Sequence, residues 1–66
     1  MSPPANSYTK AYYVAGDDIW FQKPGDNEWT RGTVSSKTTS TLMPVCTEDA
    51  TGNDYNVRSE HIRAAS

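Results

Sequence analysis

The residues of this chain that are able to do chemistry are few, and their spacing argues against catalysis. Two acid pairs stand out, Asp17-Asp18 and Glu48-Asp49. Adjacent residues on a strand point to opposite faces. General acid–base work needs carboxylates that converge in a pocket with displaced pKa values, and carboxylates in the turns of a small domain are solvated. His61, beside Glu60, is the sole histidine. One histidine with no second histidine or cysteine nearby cannot close a metal site. Cys46 is the sole cysteine, which rules out an internal disulfide or a cysteine-rich zinc site and fits a small, half-buried hydrophobe. No glycine-rich phosphate loop occurs, and the many hydroxyls lack a paired base. The expectation is a non-enzyme, with no catalytic residue, no metal ligand and no cofactor.

Binding chemistry is better supplied. Trp20 stands between Ile19 and Phe21, so if those two face a core, Trp20 projects outward. Trp29 is offset by odd numbers of residues from both Gly32 and Val34, which places it off the core as well. Outward tryptophans provide large amphipathic contact area at low entropic cost. Tyr8, Tyr12 and Tyr13 extend that surface, giving Trp20, Trp29, Tyr8, Tyr12 and Tyr13 as the candidate protein-binding set. Arg31, Lys37, Arg58 and Arg63 form an alternative set for nucleic acid if they line up across neighbouring strands. The net charge of −2 weighs against that alternative, because nucleic-acid binders usually carry a basic face.

The elements that must position these side chains are short strands. Sixty-six residues make one domain, whose core is marginal for want of a disulfide or metal. Residues 1–7 are polar and proline-rich and are expected to be a flexible leader, with the barrel domain spanning 8–66. Turn-forming residues recur every eight to twelve positions and no apolar helical period is present, which points to an all-β chain. An aromatic lead-in covers 8–14, and strands are expected at 17–22, 28–36, 41–47 and 55–58. Pro24-Gly25-Asp26-Asn27 turns the chain between the first two. Gly32 inside the second marks a bulge, a bend or a close backbone approach. In the third, alternation groups Met43 with Val45 and puts Cys46 on the other face, while Pro44 suggests a sheet edge or bulge, which leaves self-association open. Ser59 is placed to cap a helical turn over 59–62, and 63–64 add a last short strand.

Five strands with one helical turn before the last describe a small SH3-like barrel. The expected core is Ile19, Phe21, Val34, Met43, Val45, Tyr55, Val57 and Ile62. No apolar run approaches the ~18 residues of a membrane span and no signal peptide is evident, so the expected setting is cytoplasmic, without a membrane partner.

The pattern Gly16, Ile19-Trp20-Phe21, Pro24, Trp29, Gly32 and Val34 resembles the amino-terminal SH3-like domain that precedes the motor core of many myosin heavy chains. Thr47-Glu48-Asp49, Gly52 and Val57-Arg58-Ser59-Glu60 fit its acidic-glycine turn and final polar strand. Residues 63–66 lack that family's Asn-Pro-type exit, and no ATP- or actin-binding motif is present. The resemblance implies docking to neighbouring motor elements, near the converter and lever arm, or to a light chain. A second resemblance is to the carboxy-terminal domain of retroelement integrases, carried by Gly16-Asp17-Asp18-Ile19-Trp20, by Trp29-Thr30-Arg31-Gly32-Thr33-Val34 and by His61-Ile62-Arg63. It implies nucleic-acid binding, but Asn56, Ser59 and Glu60 stand where that family carries arginines. A Tudor-type methyl-ligand reader is a third possibility, if Trp20, Trp29 and Tyr55 converge around a cation.

Overall fold

Gly32 sets the geometry of the sheet. An ideal Cβ on this residue would lie 2.5 Å from Phe21 Cε1 and 2.5 Å from the Thr47 carbonyl oxygen. Absence of a side chain therefore lets the Phe21 ring and the neighbouring strand come close to the backbone, and of the bulge, bend or close approach expected here the structure shows the close approach. The computed structural model describes residues 2–65. Met1, at the start of the expected leader, and Ser66 lie outside the described residues.

Among the described residues six strands form one antiparallel sheet in the order β1-β6-β2-β3-β4-β5: β1 is Ser7–Tyr8, β2 Asp18–Gln22, β3 Trp29–Val34, β4 Val45–Glu48, β5 Asp54–Asn56 and β6 Ile62–Ala65. Strands β2 to β5 run as a meander. A single 3-10 turn, Ser59–His61, then carries the chain back so that β6 pairs with the free edge of β2. This is the expected SH3-like arrangement, with one strand more than foreseen because Ser7 and Tyr8 pair with Ala65 and Ala64. Ser7, placed with the leader by composition, thus belongs to the sheet.

The turns follow their residue types. Gly25 and Gly52 adopt φ of 81° and 77°, the left-handed region that glycine alone enters freely. The hydroxyl-rich connection from β3 to β4 satisfies its own backbone, with Ser35 and Ser40 Oγ accepting the amides of Lys37 and Leu42 at 3.1 and 3.2 Å. Ser59 does not cap the helical turn. Arg58 occupies that position and no side chain caps it.

One hydrophobic cluster fills the concave side: Tyr13, Ile19, Phe21, Val34, Cys46, Val57, Ile62 and Ala64, with Tyr55 packed against it. Three expectations about this core are corrected. Met43 is 41% exposed and Val45 only half-buried, while Cys46 is fully buried. Register is the reason: Cys46 pairs with Val34, so these two share the inner face and Val45 points away. Residues 41–43 are held in a turn by the Met43 amide donating to Ser40 O at 3.3 Å, so β4 starts only at Val45. Nor is Pro44 at a sheet edge. It is buried, its carbonyl accepts the Val57 amide at 3.1 Å, and β4 runs between β3 and β5.

Candidate functional site

Directly opposed residues of antiparallel strands share a face, so the register identifies the outer surface of the sheet. Trp20 on β2 stands between Arg31 on β3 and Arg63 on β6. In the next row Gln22 faces Trp29. Both tryptophans therefore lie outside the core on one continuous face, each half-buried. The Arg31 guanidinium sits 5.2 Å from the Trp20 ring centroid, within cation–π range. Arg63 is steadied from the edge strand: its Nε donates to Ser7 Oγ at 2.7 Å and Nη2 to Ser7 O at 3.0 Å.

The ion pairs sort the cations into two kinds. Lys10 pairs with Asp17 at 2.8 Å, Lys23 with Glu48 at 3.3 Å and Lys37 with Asp54 at 3.2 Å. Among the described residues no arginine is paired with a carboxylate. The lysines thus brace the barrel and the arginines remain available to an outside anion. The hydrogen bond to Asp17 raises the Lys10 pKa and that to Glu48 raises the Lys23 pKa. Lys10 and the Val14 amide lower the Asp17 pKa, and the Thr47 hydroxyl, then Lys37, lower that of Asp54.

Several residues singled out by sequence belong elsewhere. Tyr13 is not a surface residue: it is 1% exposed, and its hydroxyl donates to Ile62 O at 2.9 Å while accepting the Lys10 amide at 3.2 Å. An aromatic in a lead-in gives no periodicity from which this inward turn could be read. Tyr8 and Tyr12 are exposed, but Tyr8 opposes Ala64, which faces the core, so it lies on the other side of the sheet from Trp20. Tyr55 opposes Cys46 on the inner side, its ring centroid 6.1 Å from that of Phe21. Trp20, Trp29 and Tyr55 consequently do not wall one cavity. Of the four basic residues of the nucleic-acid set, Arg31 and Arg63 converge on Trp20, whereas Arg58 lines a separate cleft and Lys37 is engaged by Asp54.

The acid pairs have structural positions. Glu48, 8% exposed, is compensated by Lys23 and by the Thr51 hydroxyl at 2.9 Å. Asp49 accepts from Thr33 Oγ1 at 3.2 Å, and Asp17 holds Lys10 and the Val14 amide at the foot of β2. Burial pushes the Cys46 thiol up to about 12, so it is a packing residue.

The separate cleft, of about 230 Å³, was not legible in the sequence. It lies between the β2–β3 turn, at Pro24 and Gly25, and the segment Val57-Arg58 leading into the 3-10 turn. His61 Nδ1 and Gln22 Oε1 meet beside it at 3.0 Å, a contact between residues 39 apart that no local pattern announces. Among the described residues no helix is long and apolar enough to cross a membrane.

No known protein family matches this chain, and no curated protein matches it. What the structure itself defines is a class: a small all-β domain of SH3-like topology with an aromatic and arginine-bearing outer face.

Proposed function

We propose that this chain is a non-catalytic SH3-like interaction module that docks through its Trp20–Trp29 face onto a carboxylate-bearing protein surface. One observation carries the reading. Two tryptophans share an outer face with Arg31 and Arg63, and among the described residues neither arginine is paired with an acid, whereas every lysine is. Tryptophan and arginine are the residue types that dominate binding energy at protein interfaces. Buried aromatic area would supply the attraction, and the arginines would meet carboxylates at the rim. The resemblance to the amino-terminal domain of myosin heavy chains supports a particular partner, the converter and lever-arm elements of a cytoplasmic motor or their light chain.

The test is an intrinsic tryptophan fluorescence titration with a converter–lever-arm fragment of a myosin heavy chain carrying its light chain. Trp29→Ala should weaken binding about tenfold or more, the loss of about 1.4 kcal/mol or more that marks an interface anchor. Its melting temperature should stay within a few degrees of the parent. Equal loss of stability and affinity would make Trp29 a structural residue and refute the reading.

The placement of Trp20 between two arginines favours one second reading, nucleic-acid binding by base stacking and phosphate contact. Titration against a short single-stranded DNA, whose bases are free to stack, discriminates the two. Affinity that falls steeply with salt supports the nucleic-acid reading, and no binding at low salt refutes it.

A further inference from the structure

The cleft beside the 3-10 turn pairs an apolar wall with a cation that binds no described residue. Met43, expected in the core, instead stands 41% exposed and faces this cleft. Val57 and Pro24 complete the apolar lining. Backbone bonds tie the segment that carries Met43 to the one that carries Val57 and Arg58: the Val57 amide donates to Pro44 O and the Ser59 amide to Leu42 O, each at 3.1 Å. Between these two bonded residues the Arg58 side chain makes no hydrogen bond or ion pair with any described residue. Lys23, the other full cation at the rim, is already neutralised by Glu48.

We infer that this cleft is a binding site for the carboxyl-terminal residue of a partner protein, its carboxylate on Arg58 and its aliphatic side chain against Met43 and Val57. Charge complementarity selects the anion. One free guanidinium matches one planar carboxylate in a bidentate fork, while Asp26 at the same rim opposes a doubly charged phosphate. Size selects the chain end. At a terminal residue the carboxylate and the side chain hang from the same carbon, so both fit a space of about 230 Å³. An internal glutamate instead brings a continuing backbone on both sides. Met43 suits the apolar role because its flexible, polarizable side chain adapts to different partners. The site adjoins the Trp20–Trp29 face at Gln22, which opposes Trp29, and contains neither tryptophan.

The experiment is a two-dimensional amide NMR titration of the 66-residue chain with N-acetyl-L-leucine, which carries both groups on one carbon. Saturable shifts are expected at Met43, Val57, Arg58 and His61, with a dissociation constant on the order of millimolar for so small a ligand. N-acetyl-leucinamide, lacking the carboxylate, should bind about tenfold more weakly or worse, and Arg58→Gln should impose the same loss on N-acetyl-L-leucine. The α-amide of N-acetylglutamate, with its carboxylate on the side chain, should also bind at least about tenfold more weakly. Trp20→Ala should leave the titration unchanged, which separates this site from the docking face. Absence of saturation by about 20 mM, several times the expected constant, would overturn the inference. Equal binding of either amide, or undiminished binding to a well-dispersed Arg58→Gln, would do the same.

Discussion

Gly32→Ala is expected to destabilise the barrel by about 2 kcal/mol, and the figure follows from two contacts. The added methyl would come within 2.5 Å of Phe21 Cε1 and of the Thr47 carbonyl oxygen. The ring could tilt, but the carbonyl belongs to the neighbouring strand β4 and cannot retreat without opening the ladder that pairs Gly32 with Glu48 and Thr33 with Thr47. Insertion of extra volume into a packed core costs about 1–3 kcal/mol, and a backbone obstacle places this case near the upper end. Alanine restricts the unfolded chain and returns roughly 0.4–1 kcal/mol. The net loss is then about 2 kcal/mol, out of the roughly 3–10 kcal/mol that a domain of this length possesses. At about 4–8 °C per kcal/mol, the melting temperature should fall by about 8–16 °C. Thermal unfolding followed by circular dichroism measures this directly. Gly25→Ala is the control: its Cβ would meet nothing within 4 Å, so only the strain of its φ of 81° remains, worth about 1 kcal/mol. A Gly32→Ala melting temperature equal to or above that of the parent would refute the argument that close approach of Phe21 to the backbone organises the core.

Two other predictions concern the core. Tyr13→Phe should cost about 1–2 kcal/mol in a urea titration, since it removes the hydroxyl that Ile62 O and the Lys10 amide share and leaves a buried carbonyl unsatisfied; an unchanged midpoint would show that water replaces it. Cys46 should make stability fall at alkaline pH. Its folded pKa is pushed up to about 12 while an unfolded thiol titrates near 8.5. Between roughly pH 9 and 12 the unfolded state therefore binds fewer protons, and stability declines as pH rises through that window. Cys46→Ala should flatten the decline relative to the parent, and identical pH profiles would contradict the burial of the thiol.

The all-β class, the order of its turns and the SH3-like topology were legible in the sequence because each depends on local chemistry. Ile19 and Phe21 flank Trp20 with period two, so which of them faces the core is settled within five residues. Pro24-Gly25 and Gly52 can only turn the chain, and Gly32 declares a crowded position by having no side chain. The face assignments of Trp20 and Trp29 followed from the same alternation. Long-range pairing decided the rest. Cys46 is inside and Val45 outside because Val34 stands opposite Cys46, and register is set between strands rather than along one. Tyr13 turned inward to find Ile62 O, 49 residues away, and two residues of the expected leader region and its border, Ser7 and Tyr8, joined the sheet through Ala65 and Ala64. The same holds for function. A sequence names arginines and lysines alike as cations, but only the folded chain shows that every lysine is already answered by a carboxylate. The arginines beside Trp20 and at the Met43 cleft form no ion pair with a described carboxylate.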